Sequence, residues 1–537
     1  MIDLTVKIKN EIHKISVDET KTVLQALNSA NIGITAPCNG RGTCGKCNVY
    51  VVSESKEELA CRLFPKENME IALLCDEEYM QTATEFIPHS DETQEINSNN
   101  HVDQQRKESN ISSDQEKKYM VAVDLGTTTV VMQLLCHQNS SLVLQTVSTL
   151  NPQRSYGTDV ITRITAANQG ASHELSIQIR QLFSETLKHF CLNNSIQQGD
   201  IAYIAIAGNT TMLHLLREWD VSGLGTYPFR PANLEREEFS YGVLEKGMTE
   251  AKEVTKEEPR VILFPGISAF VGADIVAGLY AIDFHKSEKI NLFVDLGTNG
   301  ELAIGNKDNI LVTSTAAGPA FEGGNISCGV GSIPGAINEV TIKRNYVSVH
   351  TIDHKPAIGI CGTGAIELLA ELLKKGYIDE YGTLIEVYRE SGFSLEVNPL
   401  NKNHKLYFTQ EDIRQMQLAK AAIRAGIDTL INEYGIRYCD ISNLYLAGGM
   451  GVGLNIEKAC RIGLFPTELK DKIIVVGNSS LGGIKKYLQH MILSFEDYEA
   501  MNKEIVEIAK KTKTIQLAKE QQFTDHYLAY MNFPSNM

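Results

Sequence analysis

The first part of the chain consists of short segments in which apolar and polar residues alternate. Two such segments follow each other closely and predict a β-hairpin, while a later stretch has its apolar residues at helical spacing. Strands are predicted at residues 2–9, 13–17, 47–52 and 69–74, and a helix at 22–30. This order predicts a compact α+β domain of the β-grasp type over residues 1–80.

Residues 81–118 have a different character, because large apolar side chains almost vanish from the stretch that begins at Ser90. Such a segment cannot bury enough surface to offset the entropy that ordering would cost. We expect a flexible linker here, with a rigid polar helix as the alternative.

From Tyr119 onward, apolar strands, glycine-rich turns and helical stretches alternate, a pattern typical of an α/β domain. The stretch Met120-Val-Ala-Val-Asp-Leu-Gly-Thr has an echo in Leu292-Phe-Val-Asp-Leu-Gly-Thr, and each predicts a strand, a turn and a second strand. The echo divides the region 119–537 into similar halves, about 119–290 and 291–490, followed by a helical tail at 491–537.

The overall composition excludes several classes of partner. The chain has 537 residues, of which 43% are hydrophobic and 22% charged, and its formal net charge is -16. An acidic chain of this kind lacks the basic footprint that nucleic acids or anionic membranes require. The first residues alternate like a strand rather than a signal peptide, and no apolar run is long enough for a membrane span. We therefore expect a cytoplasmic protein that binds neither nucleic acid nor membrane.

A cluster of cysteines in the first domain indicates a metal site. Cys38, Cys44 and Cys47 follow the pattern Cys-x5-Cys-x2-Cys among glycines whose backbone amides can approach a metal centre. A fourth thiolate must come from Cys61 or Cys75, and we favour Cys61, which follows an acidic segment at 54–58 that we expect to be a turn. Zinc is the rival metal. The isolated cysteines are expected to be buried small hydrophobic residues: Cys136, Cys191, Cys328, Cys361, Cys439 and Cys460.

The spacing of the three clustered cysteines, with a hairpin and a helix before them, resembles the [2Fe–2S] ferredoxins. That resemblance implies a [2Fe–2S] cluster held by Cys38, Cys44, Cys47 and Cys61.

The two Asp-Leu-Gly-Thr turns predict a phosphate site. Gly126 and Gly297 allow close approach of backbone amides to phosphate, and Asp124 and Asp295 suit Mg²⁺ held through water. A later glycine-rich turn after an apolar strand, with Gly448 and Gly449, suits packing against an adenosine. The segment 478–483 is expected to be a further glycine turn.

In this order the three elements resemble the acetate and sugar kinase, heat-shock-70 and actin superfamily, whose duplicated fold is ribonuclease-H-like. The resemblance implies ATP and Mg²⁺ as ligands, with Asp124 and Asp295 in catalytic positions and Asp295 orienting the attacking water. The remaining nucleotide contacts that it implies are Gly126, Thr127, Thr128, Gly297, Thr298, Asn299, Gly448 and Gly449.

Further stretches are more distinctive than those of a general ATPase, among them Asn151-Pro-Gln-Arg-Ser-Tyr-Gly, Ala207-Gly-Asn-Thr-Thr-Met and Ala316-Ala-Gly-Pro-Ala-Phe-Glu-Gly-Gly. With the cysteine cluster, they resemble the reductive activators of corrinoid proteins. The resemblance implies ATP-dependent return of an oxidised Co(II) corrinoid protein of a methyltransferase system to Co(I). It also implies an electron donor such as a reduced ferredoxin or flavodoxin, and it allows for a homodimer.

Three alternative functions are compatible with these motifs: a metabolite kinase with a regulatory iron–sulfur domain, an ATP-dependent activase of another metalloenzyme, and a chaperone-like binding module. His214 is a candidate partner contact, although a buried histidine with its hydrogen bonds satisfied is the simpler interpretation.

Overall fold

The computed structural model describes residues 2–8, 11–30, 32, 34, 47–54, 56–73, 119–136, 142–246, 258–343, 346–395, 406–491 and 495–534. The predicted cluster ligands Cys38 and Cys44, the alternative ligand Cys75 and the predicted linker 81–118 lie outside the described residues.

The N-terminal domain is a five-stranded sheet packed against one helix. Its elements are β1 (Ile2–Ile8), β2 (Glu11–Val17), α1 (Val23–Ser29), β3 (Asn48–Val51), β4 (Lys56–Leu59) and β5 (Met69–Leu73). The strand order is β2-β1-β5-β3-β4, so the last strand lies in the centre, parallel to β1 and antiparallel to β3. Thr22 and Gln25 form a capping box that starts α1.

The acidic segment predicted to be a turn is largely strand β4, so this prediction was wrong. Lys56 makes ion pairs of 2.8 Å with both Glu54 and Glu58, which reduces the repulsion between the carboxylates. β4 pairs with β3 in antiparallel register, with Asn48 opposite Leu59.

The first half of the larger domain is built on a six-stranded sheet of order β10-β11-β9-β6-β7-β8. Its elements are β6 (Tyr119–Leu125), β7 (Thr129–Cys136), β8 (Val143–Leu150), α2 (Val160–Ala166), α3 (Ser172–Asn194), β9 (Ile201–Gly208), α4 (Thr210–Arg217), β10 (Glu237–Ser240), α5 (Tyr241–Lys246), β11 (Arg260–Leu263) and α6 (Ala273–Ala281). β6, β7 and β8 form an antiparallel meander, and β9 joins β6 in parallel.

The second half repeats this plan in a six-stranded sheet of order β21-β20-β12-β13-β14-β22. Its elements are β12 (Asn291–Leu296), β13 (Gly300–Gly305), β14 (Ile310–Thr315), β15 (Ala336–Ile342), β16 (Val347–Thr351), β17 (Gly359–Ile360), α7 (Gly362–Lys375), α8 (Glu386–Arg389), β18 (Phe393–Leu395), β19 (Leu406–Phe408), α9 (Gln410–Tyr434), β20 (Leu444–Ala447), α10 (Ile456–Arg461), β21 (Ile473–Gly477), α11 (Ser479–His490), α12 (Phe495–Lys511), β22 (Lys513–Thr514) and α13 (Gln521–Tyr530). β12, β13 and β14 form the equivalent meander, and β20 joins β12 in parallel.

Helices α6 and α11 pack against each other, and their side chains share one core with both sheets. A Cβ on Gly483 would lie 1.9 Å from the carbonyl oxygen of Ala277, so this crossing admits no side chain there. The glycine turn predicted at 478–483 is therefore wrong, because Gly482 and Gly483 belong to helix α11, where the close packing requires Gly483.

The segment after α11 returns to both halves. α12 packs on α6, β22 adds a strand to the edge of the second sheet beside β14, and α13 packs on α9. The Lys420 ammonium of α9 donates to the carbonyl oxygens of Tyr530 (2.5 Å) and Asn532 (2.8 Å). The tail was predicted to be helical only, and the structure adds this short strand. Among the described residues, no helix has the length and apolar character needed to cross a membrane.

Candidate functional site

A cleft of about 220 Å³ lies between the two halves and is lined by both Asp-Leu-Gly-Thr turns. It brings together every residue predicted to contact nucleotide: Asp124, Gly126, Thr127, Thr128, Asp295, Gly297, Thr298, Asn299, Gly448 and Gly449. The repeated motif accounts for this arrangement, because β6 and β12 hold equivalent positions in two separate sheets, and the turn after each strand lines the same cleft.

Gly448 is required where the third loop meets the second half's turn. Its φ is +93°, and a Cβ there would lie 2.4 Å from the carbonyl oxygen of Leu296 and 2.9 Å from Oδ1 of Asp295. The glycine therefore lets the backbone that we expect beside the adenosine come next to a predicted Mg²⁺-binding carboxylate.

The first phosphate turn is held by three polar side chains that the sequence did not single out. Asn151 donates to the carbonyl oxygen of Gly126 (2.8 Å), and the buried Arg163 guanidinium donates to that of Thr127 (2.7 Å). Asn209, the N-cap of α4, donates to the Thr127 hydroxyl (2.7 Å). Asn151 and Asn209 lie within the distinctive stretches noted above, so those stretches carried the signal although no role was assigned to them.

Asp124 is bound on both oxygens by the start of α11. Asn478 donates to Oδ2 and the Ser480 hydroxyl to Oδ1, each at 2.8 Å. Burial raises the pKa of Asp124, while the Asn478 and Ser480 hydrogen bonds act in the opposite direction. These two residues were missed because the segment was interpreted as a turn rather than a helix N-terminus.

Three further carboxylates line the cleft that the sequence did not indicate: Asp274, Glu301 and Glu322. Burial, with the charges of neighbouring aspartates, raises the pKa of Asp274 to about 7 and that of Asp295 to about 7. Burial also raises the pKa of Glu301 well above its ordinary value. Carboxylates withdrawn from water in this way gain from a bound cation.

The cleft fits a cation carried by a polyphosphate. None of the described residues that line it is a lysine, arginine or histidine, so no side chain there balances the carboxylates. Among the described residues, no three of these carboxylates lie close enough for their oxygens to ligate one ion directly. Carboxylates that do not surround one ion directly can still hold Mg²⁺ through the waters that it keeps.

Glu322 connects the two phosphate turns. Its Oε2 accepts hydrogen bonds from the Thr298 hydroxyl (2.9 Å) and the Thr128 hydroxyl (3.2 Å), and the two hydroxyl oxygens lie 3.2 Å apart. Burial raises the pKa of Glu322, and both hydrogen bonds oppose that rise.

Two of the four predicted cluster ligands lie in the described part of the N-terminal domain. Cys47 immediately precedes β3, and Cys61 follows β4; both are buried. The Ala60 amide donates to the carbonyl oxygen of Cys47 (2.8 Å), and the Leu24 amide of α1 donates to that of Ala60 (2.9 Å). Strand pairing therefore places both residues at one end of the β3–β4 ladder, a position from which two thiolates can serve one cluster.

His214 is buried and fully satisfied. Its Nδ1 bonds to the carbonyl oxygen of Thr210 (2.7 Å), and its Nε2 accepts from the amides of Ala232 (3.1 Å) and Asn233 (3.3 Å). Burial lowers its pKa. It is therefore a structural residue and is not accessible to a partner.

The isolated cysteines divide into three groups. Cys361 and Cys460 are buried as predicted, whereas Cys136, Cys191 and Cys328 are partly buried. Cys439 is exposed, so its prediction was wrong; it lies in a short 3₁₀ turn at the surface rather than on an apolar face.

Three family models match the chain. The model described as the C-terminal domain of RACo, the ASKHA domain, matches residues 289–537, and the RACo middle region matches 119–287. The 2Fe-2S iron-sulfur cluster binding domain matches residues 6–66, a range that includes Cys61 and ends before Cys75.

Similar proteins have matching names. The chain is 29% identical over 604 aligned positions to "Corrinoid activation enzyme RamQ" of Eubacterium limosum, which covers 98% of each chain. It is 28% identical over 449 positions to "[Co(II) methylated amine-specific corrinoid protein] reductase" of Methanosarcina barkeri, covering 77% of each. A solved structure titled "Reductive activator for corrinoid,iron-sulfur protein" aligns with a TM-score of 0.68 and 27% identity, covering 99% of this chain and 98% of that one. These comparisons confirm the predicted fold class, a 2Fe-2S domain followed by an actin-like ATPase domain.

Proposed function

This chain belongs to the RACo family of corrinoid activators, and from that premise we propose that it is an ATP-dependent reductive activator. It passes one electron to a corrinoid protein of a methyltransferase system, so that Co(II) becomes Co(I) and methyl transfer can resume. The observation that carries this proposal is the presence of a 2Fe-2S domain and a cleft lined by two phosphate turns in one chain. The chain also aligns over 98% of its length with a relative named as a corrinoid activation enzyme.

A bound [2Fe–2S] cluster supplies one-electron transfer. Cys38, Cys44, Cys47 and Cys61 are the thiolates that would hold it, and the position of Cys47 and Cys61 at one end of the β3–β4 ladder supports the last two. A reduced ferredoxin or flavodoxin is the kind of donor that returns the electron to the domain after each cycle.

In the cleft, the residues bind and orient Mg-ATP. Thr127, Thr128 and Thr298 would offer hydroxyls to the phosphates, while Asp124 and Asp295 would hold Mg²⁺ through its waters. Asp295 would also orient the attacking water. Gly448 and Gly449 pack against the adenosine, and the uncompensated carboxylates of the cleft support a metal-bound nucleotide.

ATP has a physical task here. Each ~59 mV of uphill one-electron transfer costs about 1.4 kcal/mol, so an unfavourable reduction must be coupled to a favourable step. Nucleotide supplies that coupling only if it binds one conformation more tightly than another, and a ligand that contacts both halves of a cleft can favour one arrangement of them. A homodimer is compatible with this scheme.

The test is an anaerobic assay that follows Co(I) absorbance in a corrinoid protein, with a strong one-electron donor present. Wild type should produce Co(I) only when Mg-ATP is added. Cys47→Ala should not produce it, because the electron path is broken, and Asp295→Ala should slow it by about 100-fold or more, because an electrostatic contact in the cleft is lost. The exposed Cys439→Ala is the control and should behave as wild type.

Spectra of the same variants separate the two halves of the proposal. Asp295→Ala should keep the iron–sulfur absorbance, and Cys47→Ala should keep ATP turnover. If Cys47→Ala reduced the corrinoid as fast as wild type, the cluster would not lie on the electron path. If no corrinoid protein responded to wild type, the assigned client would be wrong.

A further inference from the structure

Glu322 is positioned between groups that belong to different halves of the ATPase domain. Its carboxylate accepts hydrogen bonds from Thr128, in the turn after β6, and from Thr298, in the turn after β12. Charge-assisted bonds of this kind are stronger than neutral ones. A single carboxylate therefore bridges the two phosphate turns.

The backbone that carries Glu322 has little freedom to move. The neighbouring Phe321 is buried. A Cβ on Gly362 would lie 1.7 Å from the carbonyl oxygen of Phe321, so the 3₁₀ turn that carries Glu322 packs directly against the start of α7. Further along the same loop, Ser327 donates to the Asp412 carboxylate through its amide (2.6 Å) and its hydroxyl (2.5 Å). A response at this site must therefore come mainly from the Glu322 side chain.

A terminal phosphate competes with this carboxylate. The threonine hydroxyls that Glu322 engages are those that we expect to face the phosphates, and two anions cannot both occupy the position between them without strong repulsion. If the terminal phosphate of a triphosphate reaches between the turns, a diphosphate has no group to take that position. The Glu322 carboxylate would thus keep its hydrogen bonds to Thr128 and Thr298 with ADP in the cleft and lose them with ATP.

We propose that Glu322 is the residue by which the cleft distinguishes ATP from ADP. It bridges the two turns when the cleft is empty or holds ADP, and it releases them when the γ-phosphate takes its place. The halves are then joined by the nucleotide instead of by the protein. This inference rests on the proposed function of the cleft as a nucleotide site, and it deepens it by naming the group that makes the response specific to the triphosphate.

The test is anaerobic titration calorimetry of the full chain with Mg-ADP and with the Mg²⁺ complex of a non-hydrolysable ATP analogue. In Glu322→Ala the competing carboxylate is absent. The ratio of the affinity for the analogue to the affinity for ADP should therefore be about ten-fold higher in this variant than in wild type. Glu322→Gln removes the charge but keeps the shape, and it should shift the ratio in the same direction. It also decides the matter if the alanine variant does not fold.

Glu301→Gln is the matched control. It removes the same charge from the same cleft, but the contact of Glu301 is to the Ser314 hydroxyl (3.2 Å) rather than to a phosphate turn. Its ratio of affinities should stay within about two-fold of wild type.

Three results would overturn the assignment. The ratio in Glu322→Ala could be unchanged or lower; Glu301→Gln could raise it equally, which would indicate general electrostatics; or ATP turnover could fall with no change of ratio, which would make Glu322 an orienter of water. Failure of the cleft's proposed role as a nucleotide site would look different, because wild type would then bind neither nucleotide, and failure of the proposed client would appear as nucleotide binding without corrinoid reduction. If wild type binds both and reduces the corrinoid protein, only the role of Glu322 is in question.

Discussion

Individual carboxylates of the cleft, when ionised, lower the free energy of unfolding of the protein without metal and nucleotide. Asp274, at the start of α6, has a pKa raised to about 7 by burial and by the charge of Asp124. A group whose folded pKa lies above its unfolded value contributes stability below the unfolded pKa and loses it as the pH rises through the folded pKa. For Asp274 that window runs from about pH 4 to about pH 7.

We predict that Asp274→Asn stabilises the protein at pH 8 in the absence of metal and nucleotide. The amide cannot ionise, so the loss of stability between pH 6 and pH 8 should be smaller than in wild type. A gain of about 1 kcal/mol would raise Tm by roughly 1 °C, because the Tm shift per kcal/mol falls as the unfolding unit becomes larger. Thermal unfolding in a chelator at pH 6, 7 and 8 measures this.

Asp283, just beyond the other end of α6, is the matched control. Partial burial raises its pKa, but the ion pairs with Lys486 (2.6 Å) and Lys286 (3.0 Å) lower the pKa by more than burial raises it. The net pKa therefore lies below the ordinary value. Asp283→Asn should therefore lower Tm at pH 8. A lower Tm for Asp274→Asn as well would contradict the electrostatic explanation.

The fourth cluster ligand is also a question about single residues. We predict that Cys61→Ala abolishes the visible iron–sulfur absorbance, whereas Cys75→Ala retains it. The reason is that Cys61 lies next to the residue that bonds to Cys47, at the end of the β3–β4 ladder. Anaerobic absorbance spectra after reconstitution with iron and sulfide decide between the two, and the opposite pattern would exchange the assignments.

The sequence predicted which residues gather in the cleft where a motif repeats, but it did not predict the cleft contacts made by side chains from far along the chain. The duplicated Asp-Leu-Gly-Thr motif identifies Asp124 and Asp295. Ser480 reaches Asp124 across 356 residues of sequence, a contact that no local pattern encodes. Glu322 stood in a recognised stretch, but its role depends on two hydroxyls that only the folded cleft brings together.

At the scale of whole elements, the crossing of α6 and α11 determines the geometry of the cleft. α6 carries Asp274, and Asn478 and Ser480 at the start of α11 bind Asp124. The distance between these helices therefore fixes the positions of several cleft carboxylates at once. The sequence missed this crossing because glycines predict turns unless a neighbouring helix is known to need the space.

We predict that Gly483→Ala strongly destabilises the ATPase domain and weakens nucleotide binding. The new Cβ would meet the backbone oxygen of Ala277 at 1.9 Å, and a helix backbone cannot yield easily. Gly426→Ala in α9 is the control, since its Cβ would approach side chains and no backbone atom: the end of Leu302 at 2.5 Å and, at ordinary contact distance, Cγ2 of Thr315 at 3.7 Å. Both changes gain up to about 1 kcal/mol of helix propensity. A difference in stability between the two variants therefore measures the cost of disturbing the contact between α6 and α11.

Thermal unfolding and calorimetric titration with Mg-ADP measure both effects. The control should remain within about 1 kcal/mol of wild type. Equal behaviour of the two variants would mean that α6 and α11 can separate without cost.

At the scale of the whole molecule, the predicted architecture of an iron–sulfur domain and a duplicated ATPase domain is confirmed by the family matches. Periodicity was sufficient for the α+β and α/β classes of the two parts, because each has its own hydrophobic pattern, and the resemblance of the motifs supplied the families. They could not show that the segment after α11 contributes to both halves, since α12 joins the core around α6 while β22 extends the second sheet.

The late position of β22 has a consequence for synthesis. The Thr313 hydroxyl, in β14, donates to the carbonyl oxygen of Ile515, which follows it by 202 residues. A ribosome that adds roughly 5–20 residues per second leaves this edge of β14 without its partner for roughly 10–40 s. During that interval its unpaired N–H and C=O groups are a template for strands of other nascent chains. Because that competing pairing depends on concentration, a low expression level favours the native sheet.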